Sequence, residues 1–186
     1  MDGHITGQYF KIVKRTFTET AGDAAVARVV RDLGIPLDMN DNNLYSVIDY
    51  NKLMDAGIER FWPKLSNEQG LFRLGESIFS GFTETTIGQV AMRLSVSHPK
   101  KLAARTPSHY ECFIDWGKVT YEDIDEKTYA LRFEGFKTSP HYDHGIMVAG
   151  TKPVAPECDI VLNIDRFDNP AHGVIDADFE VRFTLP

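Results

Sequence analysis

Cysteine is scarce in this chain: Cys112 and Cys158 are the only two among 186 residues. Two cysteines in a chain of this length, with no secretory leader, read as free thiols rather than as a disulfide framework. Runs of one charge sign are missing as well. The 20 basic residues form no basic stretch and the 27 acidic ones leave a net charge of -7, so nucleic acid is excluded as the expected partner. No apolar run reaches the roughly 20 residues that a membrane-spanning helix needs. The opening MDGHITGQYFKIVKR lacks both the apolar stretch and the small-residue cleavage site of a secretory signal, which makes the cytoplasm the expected location. Catalytic signatures are equally thin: a G-x-S-x-G elbow, a phosphate-binding glycine loop and a zinc-protease helix are all absent. His109 and Cys112 are base and nucleophile by type, but a strand over 110–116 would set them on opposite sides of a sheet. No enzymatic activity is expected.

What is present is an ordinary globular composition, 42% hydrophobic and 11% aromatic, in a length that suits one domain over residues 1–186. Its hydrophobic period changes midway. Phe10, Val13 and Phe17 recur at helical spacing, as do Ala25, Val29 and Leu33 before Gly34 and Pro36 end the run. Asp49 is the expected N-cap of a third helix presenting Met54, Ile58, Phe61 and Leu65. Ser66 and Gln69 have capping-box spacing and open a fourth, with Leu71, Leu74, Ile78 and Phe82 in one stripe. After the TETT step, Ile87, Val90, Ala91 and Leu94 continue as a further helix, and Pro99 starts a short one through Leu102. From Tyr110 the period becomes two. Tyr110, Cys112, Ile114 and Trp116 alternate with Glu111, Phe113 and Asp115, and Tyr129, Leu131 and Phe133 alternate with Ala130 and Arg132, so EDIDEK marks a hairpin turn. Ser139 and Pro140 open a helix running to about Gly150. Ile160, Leu162 and Ile164, then Ile175 to Phe183, read as a second hairpin turning through DNPAHG. The expected fold is α+β: an N-terminal helical bundle on one face of a four-stranded antiparallel sheet, with one helix between two hairpins.

Gly75, Gly81 and Gly88 interrupt the apolar helical pattern of GLFRLGESIFSGFTETTIGQV, and a mid-helix glycine costs about 1 kcal/mol against alanine. Two gains could offset that loss. One is close packing of helices, with capping near their ends. The other is a ligand cavity between helices and sheet, lined by Phe72, Gly75, Phe79, Phe82, Trp116 and Phe133 and suited to a small hydrophobic molecule. These aromatics serve equally well as plain core, in which case helix faces bearing Tyr9, Phe10 or Phe61 would offer a homodimer or protein-partner surface. In SPHYDHG, His141 and His144 stand three apart and share a helix face, two ligands of a possible transition-metal site. No third ligand is nearby in sequence, so they are expected to be polar residues of an exposed first turn, with no metal.

The "LFRLGE" and "GF" core, Pro107, "IDWGKV", "RFEGF", a glycine-bearing helix and the closing "DADFEVRF" together resemble a myxobacterial-type paralogous family of unassigned function. That family is distantly similar to the ligand-binding superfamily of haem nitric-oxide sensors, four-vinyl-reductase-type domains and trafficking-complex subunits. The resemblance runs from about Phe10 to the end of the chain through short, mostly structural motifs. It implies a non-enzymatic sensory or carrier domain holding a small apolar molecule between helices and sheet, or helices that build a partner interface. The haem sensors use a proximal histidine on a helix before the sheet and a Tyr-x-Ser-x-Arg signature for the propionates. His98 stands in that region but directly before Pro99, and Tyr129-Ala130-Leu131-Arg132 lacks the serine and the spacing. His98 is therefore expected at a helix start, and haem is a minor alternative to a domain without cofactor.

Overall fold

Helical spacing in the first half and two-residue spacing in the second become a layer of helices and a layer of strands in the computed structural model, which describes residues 3–84, 89 and 98–186. The expected helix over Ile87, Val90, Ala91 and Leu94, together with Gly88, lies outside the described residues. A short strand β1 (His4–Thr6) leads into α1 (Gly7–Ala21), whose Phe10, Val13 and Phe17 are fully buried. Helix α2 (Asp23–Asp32) follows at once and buries Val26, Val29 and Val30. A second short strand, β2 (Leu44–Ser46), pairs antiparallel with β1, Ile5 opposite Tyr45. That pairing starts α3 (Val47–Phe61) earlier than expected, with Ser46 at the N-cap and Asp49 in the first turn, where its charge faces the positive end of the helix.

Helix α4 (Asn67–Thr83) opens on the expected capping box: Ser66 accepts from the Gln69 amide at 3.2 Å, and the Gln69 side chain accepts from the Ser66 amide at 3.0 Å. Replacing Ser66 by alanine removes one of these bonds and is expected to lower stability by about 1 kcal/mol, read as a lower urea midpoint at unchanged slope. Pro99 starts α5 (Pro99–Ala103) as expected.

The next element corrects the sequence reading. Of the residues expected as a strand from Tyr110 to Trp116, Tyr110 to Phe113 instead close the helix α6 (Thr106–Phe113), with Pro107 in its first turn, and only Ile114 bridges to a strand, at Ile5. The apparent alternation of Tyr110, Cys112, Ile114 and Trp116 competes with a helical pair, Tyr110 and Phe113, that packs inward. Helix start chemistry at Thr106 and Pro107 decides in favour of that pair. The strand begins only after Gly117, a turn residue with φ 68°.

Strands β3 (Lys118–Asp123) and β4 (Thr128–Phe136) form the first hairpin, and β5 (Asp159–Ala171) and β6 (Val174–Thr184) the second. Between them lies α7 (Pro140–Thr151), with Ser139 at the N-cap position, its hydroxyl making no capping bond, and Pro140 at its start. The sheet is antiparallel throughout, in the order β3-β4-β6-β5. Its inner face stacks Tyr129 on Phe183 at 4.6 Å and Phe133 on Phe179 at 4.4 Å, while Arg132 and Glu180 pair on the outer face. β5 is an edge strand whose register shifts twice, between Ile164 and Arg166 and between Asp168 and Ala171. Near its end Arg166 reaches Asp176 and Asp178, each at 2.8 Å.

Two links tie the layers together. The Asn51 side chain, fully buried on α3, donates to the carbonyls of Lys137 at 2.7 Å and Gly173 at 2.9 Å. Helices α4 and α7 cross at Gly75 and Gly145. A Cβ on Gly75 would collide with the Tyr142 carbonyl oxygen and lie 2.9 Å from the Ile146 nitrogen, and one on Gly145 would collide with the Phe72 carbonyl oxygen. The glycine that looked out of place is thus where two helix backbones touch. Among the described residues no helix is long and apolar enough to cross a membrane.

Candidate functional site

Where α4, α5, α6 and α7 converge, the packing leaves a cavity of about 90 Å³. Its walls are mostly apolar: Ile78, Phe79 and Phe82 come from α4, Tyr110 and Phe113 from α6, Ile146 and Met147 from α7, and Trp116 from the turn before the sheet. Of the residues proposed from sequence, Phe79, Phe82 and Trp116 border this space. The other three lie elsewhere. Phe72 packs edge-on against His144 with ring centres 5.3 Å apart, Gly75 lies in the crossing with α7, and Phe133 belongs to the sheet core, with Tyr110 edge-on against it at 5.7 Å. Tyr9 also borders the cavity and Phe10 is fully buried, so these two face inward rather than toward a partner.

One wall is polar. Asp143, in the first turn of α7, is only 1% exposed. One carboxyl oxygen accepts from the Tyr110 hydroxyl and the other from the Thr138 hydroxyl, both at 2.7 Å. Burial pushes its pKa up to about 7 from 3.8, and the two hydrogen bonds pull in the opposite direction. No ion pair reaches Asp143 among the described residues. Beside it the Tyr50 and Tyr142 hydroxyls are 2.7 Å apart. Burial raises the pKa of Tyr9, Tyr50, Tyr110 and Tyr142, so all four phenols stay neutral at physiological pH. His109, which lines the same cavity, is lowered, by burial first and then by Arg105. Sequence reasoning passed over Asp143 because it stands between two histidines and reads as exposed. The usable signal was its spacing of four and seven from Met147 and Gly150, which puts it on the inward face of the helix.

With α6 a helix, His109 and Cys112 share one element, contrary to the strand argument. They still do not form a couple: Cys112 is exposed and the His109 ring packs on Phe82 at 5.8 Å. His141 lies 3.8 Å from Glu68, and among the described residues no group of three or more His, Cys, Asp or Glu side chains converges as a metal site.

The residues do not fit a haem. All six histidines are described, and His98 is an exposed N-cap while only His109 reaches the cavity. Arg132 points to the outer face of the sheet, 3.0 Å from Glu122 and 3.4 Å from Glu180. The void is also far below the 300 Å³ or so at which drug-sized pockets begin.

The fold is nonetheless shared with solved haem domains. An H-NOX protein from S. oneidensis in the Fe(II)NO ligation state is similar at a TM-score of 0.74 and 12% identity, covering 98% of this chain and 99% of that one. An oxygen-binding H-NOX domain related to soluble guanylate cyclases gives 0.68 at 11% identity over 98% and 96%. An Fe(II) unliganded H-NOX mutant from K. algicida gives 0.69 at 12% identity over 98% and 97%. At such identities the likeness establishes the fold alone. No curated protein sequence matches the chain. Residues 4–157, which span every described helix and the first hairpin, match the family described as protein of unknown function, DUF2378, and the chain belongs to that family.

Proposed function

We propose that residues 1–186 form one non-enzymatic sensory or carrier domain that holds a small hydrophobic molecule among its helices. The observation that carries this reading is the apolar cavity itself, set among α4, α5, α6 and α7 rather than against the four-stranded sheet, in a fold that solved neighbours use as H-NOX domains. Phe79, Phe82 and Trp116 would touch the ligand, while Phe72, Gly75 and Phe133, the other three residues expected from sequence, stand outside the cavity lining. The two free cysteines, one exposed and one buried, support a cytoplasmic setting.

The test uses xenon, an apolar probe known to enter dry protein cavities. Methyl signals of Ile78, Ile146 and Met147 should shift saturably under xenon pressure, and Ala103→Leu, which adds carbon to the cavity wall, should abolish the shifts while the protein stays folded. Absence of saturable shifts in the unmodified protein would overturn the reading. Haem mixed with the protein and then removed by desalting is expected to leave no Soret band in the protein fraction.

A second reading is a protein-interaction or homodimer module with a filled core. The small size of the cavity favours it, as do Ile164, Phe167 and Val174, large apolar side chains left exposed on the second hairpin. A dimer mass without adduct in native mass spectrometry, together with silence in the xenon experiment, would support this reading over the first.

A further inference from the structure

Resting on the cavity reading above, we infer that the preferred occupant is a small organic cation, a short alkylammonium whose nitrogen sits against the Asp143 carboxylate and whose carbon end fills the apolar side. The geometry has three parts. First, a carboxyl group almost wholly removed from water borders the void. Each of its oxygens accepts one hydrogen bond, from Tyr110 or from Thr138, and each retains a second lone pair for another donor. A buried carboxylate without a cation is unfavourable, and an ammonium group brought into contact removes that penalty.

Second, among the described residues no Lys or Arg lines the cavity; Arg105 acts only on His109 at its wall. The titratable groups facing Asp143 are Tyr9 on α1, Tyr50 on α3, Tyr110 on α6 and Tyr142 on α7. All are neutral phenols at pH 7, and His109, the cavity's one imidazole, is held toward its neutral form. The Thr106 and Thr151 side chains line the same cavity and offer oxygens to the remaining ammonium protons. Third, the lining includes three aromatic side chains, Phe79, Phe82 and Trp116, surroundings that favour an alkylammonium over an alkyl alcohol of the same shape. A volume of about 90 Å³ is somewhat over half that of the roughly 150 Å³ cavity that takes up benzene. That limits the occupant to a few heavy atoms.

Three probes of one shape separate the possibilities: isobutylamine, isobutanol and isobutyrate, titrated into the full chain and followed by methyl shifts at Ile146 and Met147. The amine should bind at least tenfold more tightly than the alcohol at pH 7.5, and isobutyrate should not bind. Amine affinity should rise at least fivefold from pH 5.5 to 8.5 as Asp143 ionises, while alcohol affinity stays level. Asp143→Asn should remove the tenfold preference and leave isobutanol binding in place. If that variant does not fold, the pH series on the unmodified protein decides alone. Equal affinity for amine and alcohol, or an amine affinity indifferent to pH, overturns the cation and leaves the cavity reading intact. Failure of both amine and alcohol to bind overturns both.

Discussion

Alanine at Gly75 or Gly145 is expected to destabilise the protein by about 3 kcal/mol, the upper end of the ordinary range for overpacking. The sign is the informative part. A glycine-to-alanine change inside a helix ordinarily stabilises by up to ~1 kcal/mol, because alanine has the higher helix propensity and the less flexible unfolded chain. Here each new Cβ would run into a main-chain carbonyl oxygen of the opposing helix, Tyr142 for Gly75 and Phe72 for Gly145. Backbone cannot rotate aside as a side chain does. The two helices must separate, which also loosens the Tyr110 and Thr138 bonds to Asp143. Because one separation relieves both collisions, the double variant should lose less than the sum of the single losses. Urea unfolding followed by circular dichroism measures all three variants. A stability gain in either single variant would mean that α4 and α7 do not meet backbone to backbone.

Asp143→Asn should produce the largest change in pH dependence. The folded-state pKa of Asp143 is raised to about 7, above an ordinary 3.8, so the fold holds its proton more tightly than the unfolded chain does. The stability this group contributes is complete below about pH 4 and is lost as pH climbs to about 7. Above that, the difference corresponds to roughly 4 kcal/mol. An asparagine keeps an acceptor for Tyr110 and carries no charge, so its contribution is level across the range. Subtracting the variant's stability from that of the unmodified protein should give a curve that falls from pH 4 to pH 8. The variant should equal or exceed the unmodified protein at pH 8 and fall below it at pH 4.5. Thermal melts at half-unit steps measure this, and parallel curves for the two proteins would contradict a buried, cation-free carboxyl. Other shifted carboxyls, such as Asp55 raised by burial and Asp176 lowered first by Arg166, are common to both proteins and cancel in the difference.

What the sequence made legible was whatever depended on neighbours a few residues away. The Ser66 and Gln69 box, the Ser139 and Pro140 helix start, the turn at EDIDEK and the alternating last strand all rest on local chemistry, and all stand in the structure. Tyr110 to Trp116 misled because a short apolar run fits both periods, and Pro107 was the better guide to the helix. The three-residue strands β1 and β2 were too short to carry a pattern. At the site, Phe79, Phe82 and Phe72 look alike in sequence, yet Phe72 turns to His144 while the other two border the void. No local signal separates them. Asp143 was hidden for a related reason, since its partner Tyr110 comes from a helix 33 residues earlier in the chain.

The irregular rim strand β5 carries one more implication. A bare, 13-residue margin with Ile164 and Phe167 uncovered invites a neighbouring copy to zip on by main-chain bonds. Its two register slips, however, break the repeat at which amide and carbonyl groups present themselves, and the Arg166 clamp on Asp176 and Asp178 fastens the chain between them inward. A foreign strand laid alongside would fall out of step within a few residues. This margin is thereby a poor template for strand addition, which leaves β3, at the opposite edge with an unbroken register, as the more regular of the two.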